Sequence, residues 1–129
     1  MREIKFRAWD KSSKAMCKVK QILKFDGNMH FILDNPNSDF WGNNYGCDIN
    51  RIELMQYIGR HDINGKEVYE GDTVKAKDSY TGREFTGNIE FRDCSFCIVG
   101  DCVSNCRWMD YEVEVIGNVW ENSDLLKEE

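Results

Sequence analysis

A chain of 129 residues with 41% hydrophobic side chains, four Trp, five Tyr and seven Phe carries enough bulky apolar surface for a packed core, which excludes wholesale disorder. Its length suits one domain or two small lobes, and no window approaches the roughly 20 apolar residues of a membrane helix. A net charge of −6 and a pI near 5.0 count against a general affinity for polyanions.

Ile4, Phe6 and Ala8 alternate with Lys5, Arg7 and Trp9, the period-2 pattern of a half-buried strand. The polar run 10–14 breaks it, and residues 16–25 resume as an extended partner with Cys17 and Val19 facing one way. Asp26-Gly27-Asn28 signals a turn before a further apolar strand over 30–33. Residues 34–50 read as a turn-rich loop around Pro36 with Phe40, Trp41 and Tyr45 embedded in it. Those rings either cap the core edge or form a recognition loop, and the stretch is the candidate linker between lobes.

Ile52, Leu54 and Tyr57 lead into the second lobe, where Asn64-Gly65 predicts a type I′ turn. Residues 66–70 return from it, and Gly71-Asp72 turns the chain into 73–77. After a turn at 78–82 come short strands at Phe85, 87–92 and 96–99. Tyr111, Val113 and Val115 alternate with Glu112 and Glu114 in a last strand, and Asn122 or Ser123 caps a short helix carrying Leu125 and Leu126. The expected fold is mainly β: an N-terminal β meander and loop over 1–50, and a small SH3-like barrel lobe over 51–129 ending in a short helix, with one shared core as the alternative.

Charge is divided along the chain. Residues 1–24 hold eight basic and two acidic side chains, and residues 108–129 hold one basic and seven acidic. Three readings stay open: terminal segments that pair within one chain, head-to-tail contact between chains, or a basic face that meets an anion. The N-terminus, MREIKFRAWD, is charged and lacks the apolar core of a signal peptide. The expectation is a cytoplasmic protein with no membrane partner, its six cysteines reduced.

Cys94, Cys97, Cys102 and Cys106 have the spacing C-x2-C-x4-C-x3-C, and four thiolates could hold zinc tetrahedrally. The same stretch also reads as a strand in which Phe96 and Ile98 alternate with Cys97, so no cofactor is assigned and zinc stays open. Cys17 and Cys47 read as small apolar residues. His30 and His61 are the only histidines, neither beside a Ser or Cys in sequence, and no Gly-rich phosphate loop occurs. The basic hairpin interleaves Phe6 and Trp9 with Lys5, Arg7, Lys11, Lys18 and Lys20, a composition that small β barrels use to stack bases.

Four segments carry a resemblance. KFRAWD spans residues 5–10, LMQYIGRHDINGKEVYEGDTVK spans 54–75, GNIEF spans 87–91 and EVIGNVWENSDLL spans 114–126. In this order and spacing they resemble the YopX family of phage and prophage proteins, across nearly the whole chain. The resemblance implies a bacteriophage or prophage origin and a bacterial host cytoplasm. It carries no catalytic residues and implies no particular activity. Within the motifs, Gly59, Gly65, Gly71 and Gly117 are read at turns or close backbone approaches. Asp72 is read as an acceptor for backbone N–H groups, and Tyr57, Tyr69 and Trp120 as packing residues.

The sequence therefore reads as a non-catalytic module that binds a macromolecule, either a protein partner or further copies of itself. The candidate binding residues are Lys5, Arg7, Trp9, Lys18, Lys20, Phe40, Trp41 and Tyr45. A nucleic-acid-binding protein using the basic hairpin is the first alternative, and a small enzyme with a Cys/His site the second.

Overall fold

Alternating inward and outward side chains make strands of nearly every segment that the period-2 pattern marks. In the computed structural model, which describes residues 3–35, 44–92, 95–99, 104–105 and 111–121, two compact units meet in sequence at Gln56/Tyr57. The first contains β1 (Phe6–Asp10), β2 (Ala15–Phe25), β3 (Asn28–Asp34), β4 (Asn44–Asp48), a 3-10 turn (Ile49–Arg51) and the first half of β5 (Ile52–His61). Their order is β4-β3-β2-β1-β5, antiparallel throughout. Ala8 lies opposite Cys17 on one side and Leu54 on the other, and these join Ala15, Phe31, Leu33 and Ile52 in one core.

Part of the expected loop over 34–50 is a strand. Tyr45 and Cys47 lie opposite Leu33 and Phe31 and pack against the same core, so the apolar face of β3 recruits this polar segment as an edge strand. Phe40 and Trp41 lie outside the described residues.

The second unit holds the rest of β5, then β6 (Glu67–Tyr69), β7 (Asp72–Asp78), β8 (Glu84–Arg92), β9 (Ser95–Val99), β10 (Ser104–Asn105) and β11 (Tyr111–Asn118). Its sheet has the order β10-β9-β8-β7-β11 over a core of Val68, Val74, Ala76, Ile89, Ile98 and Val113. The fold is mainly β, in antiparallel sheets; the closing pair of an SH3-like barrel is not among the described pairings. The expected terminal helix, with Leu125 and Leu126, lies outside the described residues.

Among the described residues, the basic and acidic ends do not pair as strands. The neighbours of β1 are β2 and β5, whereas β11 pairs with β7, setting Glu112 opposite Lys77 and Glu114 opposite Lys75. Sequence separation hid this match, because the lysines that answer the acidic strand lie in the middle of the chain.

The type I′ turn is at a different place from the one expected. Both positive-φ residues occur at Asp26 (49°) and Gly27 (78°), between the paired Phe25 and Asn28. At Asn64-Gly65 only the glycine has positive φ. There the Asp62 carboxylate accepts the N–H groups of Asn64 and Lys66, each at 2.9 Å, an Asx-type turn in place of the type I′ one.

Two other hairpin loops share one design. Asp10 Oδ1 accepts from Ser12 N–H (2.9 Å), and Asp78 Oδ1 from Tyr80 N–H (2.8 Å). Four residues after each aspartate the chain turns left-handed, at Lys14 (φ 55°) and Gly82 (φ 76°). A side chain there costs roughly 1 kcal/mol, partly offset by the extra freedom of glycine in the unfolded chain. Lys14→Gly is therefore expected to stabilise by about 0.5 kcal/mol, read as a higher urea midpoint. A lower midpoint would show that Lys14 carries no strain.

Candidate functional site

Asp10 ends β1 on its inward parity, after Phe6 and Ala8, and its side chain is fully buried. Arg51 grips the carboxylate with both fork positions, Nε on Oδ1 and Nη2 on Oδ2, each at 2.9 Å. Oδ2 also accepts from Ser13 Oγ (2.8 Å) and the Tyr45 hydroxyl (2.5 Å). Burial alone would raise the Asp10 carboxyl; the hydrogen bonds from Arg51, Tyr45, Ser13 and Ser12 outweigh it and hold it well below the usual carboxylate range. Burial and the Asp10 contact push the Tyr45 phenol up, so it stays a donor.

Cys17 Sγ lies 3.3 Å from the same hydroxyl, and burial raises both the Cys17 and Cys47 thiols. Thiols held protonated are poor nucleophiles. The cluster thus ties the β1–β2 turn to β4 and the 3-10 turn, with every oxygen of Asp10 satisfied. Tyr45, a candidate for recognition, points into this cluster.

The lysines that flank β1 are engaged where they stand. Lys5 pairs with Glu3 at 2.6 Å, and Lys11 with Glu53 at 3.7 Å. Arg7 and Trp9 are half-buried within the sheet, Arg7 between Lys18 and Met55, Trp9 between Met16 and Glu53.

Beyond the core the hairpin continues as an arm. A bulge at Lys20, between the pairs Val19–Leu33 and Gln21–Ile32, shifts the register, and every residue from Lys20 to Met29 is exposed. Phe25 is 68% exposed, Leu23 44%, Met29 41% and Ile22 38%. Ile22 and Met29 share one face of the ribbon, Leu23 and Phe25 the other, and the Phe25 ring meets His30 edge-on at 6.2 Å. Among the described residues, Lys18, Lys20 and Lys24 are exposed and enter no ion pair. Sequence reasoning found Lys18 and Lys20 but missed the four apolar side chains. The available signal was the run Gln21-Ile22-Leu23-Lys24-Phe25, where adjacent apolar residues cannot all face the core of a one-sided sheet.

Of the four clustered cysteines, Cys97 alone is described; Cys94, Cys102 and Cys106 lie outside. Cys97 is buried in β9, with Ser95 Oγ at 3.6 Å. Among the described residues no three His, Cys, Asp or Glu side chains are grouped to hold a metal.

The motif residues build the second unit. Gly59, Gly65 and Gly71 have positive φ, and Gly117 lies at the bulge of β11. Gly71 donates to Ile89 O at 2.9 Å and accepts from Val119 N–H at 2.8 Å. Asp72 accepts from Tyr69 N–H at 2.8 Å. Tyr57 packs its ring against Tyr69 and His61.

Comparison with known proteins follows these elements along the chain. The model of the family described as YopX protein matches residues 5–127. No curated protein matches the chain. Protein EF1440 from Enterococcus faecalis has a crystal structure similar to this one, with a TM-score of 0.68 at 28% identity, over 98% of this chain and 99% of that one. Protein yopX from Bacillus subtilis gives a TM-score of 0.62 at 18% identity, over 98% and 97%, a likeness of fold alone.

Proposed function

The chain belongs to the YopX family, and on that premise we propose that it is a non-catalytic protein that binds another macromolecule through the β2–β3 arm. One observation carries this reading: the arm exposes large apolar side chains on both faces and the unpaired lysines Lys20 and Lys24. His30, Phe31 and Ile32 of β3 also pair with β4, but the tip over 24–29 is a two-stranded ribbon. Such a ribbon gains little stability from these side chains, and a patch of this kind marks an interaction surface. The proposed setting is the cytoplasm of a bacterial host carrying a phage or prophage. No helix among the described residues is long and apolar enough to cross a membrane.

The test is capture from host lysate, with and without nuclease, by the wild-type chain and by Leu23→Asp/Phe25→Asp. The wild type is expected to retain a defined partner and the variant to lose it at least tenfold, with a melting temperature within about 3 °C of wild type because the positions are exposed. Equal capture by the two chains sinks the proposal.

A second reading is nucleic acid, favoured by Lys18, Lys20 and Lys24, since a two-stranded ribbon fits a major groove. It requires duplex binding that weakens steeply with salt.

The raised Cys17 and Cys47 thiols support the non-catalytic reading. We assign Cys97 to the core rather than to a metal. Protein purified without added zinc or chelator is expected to hold far less than one zinc per chain, and a stoichiometric content overturns that assignment.

A further inference from the structure

The two units carry opposite charge. Residues 1–56 hold nine basic and seven acidic side chains, and residues 57–129 eight basic and sixteen acidic. The arm lies in the basic part, with Lys20 and Lys24 against Asp26, and Lys18 at its base stands opposite Asp34.

We infer that the arm of one copy docks on the second unit of another copy, a head-to-tail contact between identical chains. The inference rests on the reading of the arm as a binding surface and names its occupant. Charge selects that occupant. A second copy offers the arm a strongly acidic unit, whereas the same acidic unit repels a phosphate backbone. Charge also selects the geometry. Two arms packed against each other would set lysine beside lysine, at a cost in association, so the contact is between unlike surfaces.

The second unit has a matching place. Ile63 is 61% exposed and borders a depression with Glu84, Glu112, Glu114, Lys75 and Lys77. Lys75 is held by Glu84 at 3.0 Å, which leaves the depression net acidic beside an apolar side chain. The ribbon brings the complementary set, apolar residues interleaved with lysines. Four apolar side chains fall short of the roughly 800 Å² per partner of a stable interface. The lysine contacts are therefore needed as well, and association is weak and salt-dependent.

The experiment is sedimentation velocity on the full chain at about 25 mM and about 500 mM salt. The wild type is expected to exceed its 15.1 kDa monomer mass at low salt and to fall towards it at high salt. Phe25→Asp is expected to be monomeric in both. Lys20→Glu/Lys24→Glu is expected to lose self-association, and mixing it with Glu112→Lys/Glu114→Lys to restore binding between the two chains at least tenfold over either alone. All these positions are exposed or half-exposed, and thermal melts confirm that the variants fold. A wild type that stays monomeric, association that survives charge reversal, or binding of duplex nucleic acid in place of self-association overturns the inference. A monomeric wild type whose capture of another macromolecule is still abolished by Phe25→Asp removes only the second copy as occupant. If Phe25→Asp alters neither association nor capture, the reading of the arm falls too.

Discussion

Replacing Asp10 with alanine is expected to destabilise the protein by about 3 kcal/mol, the larger of two losses that separate burial from turn chemistry. The truncation removes the acceptor of Arg51, Tyr45, Ser13 and the Ser12 N–H together. A buried donor left without its partner costs its desolvation free energy. Arg51 keeps 38% of its side chain exposed and recovers water, which holds the loss at the lower end of the range for broken buried pairs. Asp78→Ala is the internal control. It removes the same turn acceptor from a loop that is open to solvent, and a clearly smaller loss is expected, because water replaces the lost acceptor. Urea unfolding of both variants checks the difference; equal losses would mean that the Arg51–Tyr45 cluster adds nothing beyond the turn.

The same carboxylate sets an acid limb. The Asp10 and Asp62 carboxyls are both lowered in the folded chain: burial opposes the shift, but side-chain donors on Asp10 and the N–H groups of Val115, Lys66 and Asn64 on Asp62 prevail. A group with a lowered folded pKa adds stability that is complete above its unfolded value of about 4 and is lost as pH falls through the folded one. Wild-type stability is therefore expected to decline below about pH 4. Asp10→Ala, already lacking that contribution, should show a shallower decline in urea midpoints between about pH 5 and 2. Parallel limbs for the two proteins would contradict the assignment.

Strand parity was legible from the sequence, and it went further than its first use. Phe6, Ala8 and Asp10 lie on one parity, but residue type placed Asp10 in the polar run 10–14 that ends the pattern, so its buried position at the end of β1 went unread. What sequence could not supply was the partners, Tyr45 and Arg51, which lie 35 and 41 residues away. The strand β4 was hidden for a related reason. Its Asn, Gly and Asp residues have turn chemistry, and only the apolar face of β3 makes extended structure the better outcome. The arm shows the opposite case. Residues 16–25 were read correctly as extended, but periodicity reports conformation and not whether a core lies beneath. The bulge at Lys20 separates the packed half of β2 from the exposed half.

Gly87 gives the second large effect, and its cause is proximity, not dihedral freedom. It lies on the inward parity of β8 with Phe85 and Ile89 and is buried. An added Cβ would meet Ile98 Cγ2 at 2.8 Å and the Val99 carbonyl oxygen at 2.9 Å. The carbonyl belongs to β9, which is fixed by the pairs Asn88–Val99 and Ile89–Ile98, so it cannot retreat without breaking the ladder. Gly87→Ala is expected to cost about 2 kcal/mol and Gly87→Val more than about 3, as overpacking against backbone does. Gly65 is the contrast, with φ at +83° and nothing within 4 Å of its added Cβ. There alanine costs about 1 kcal/mol through the left-handed backbone, and asparagine, which tolerates that region, costs less. At Gly87 asparagine brings no relief, because the obstacle is space. Thermal melts of Ala and Asn variants at both sites distinguish the two causes. A Gly87→Ala protein that melts with wild type would show that β9 moves aside and that the close approach of β8 to β9 is not required by the fold.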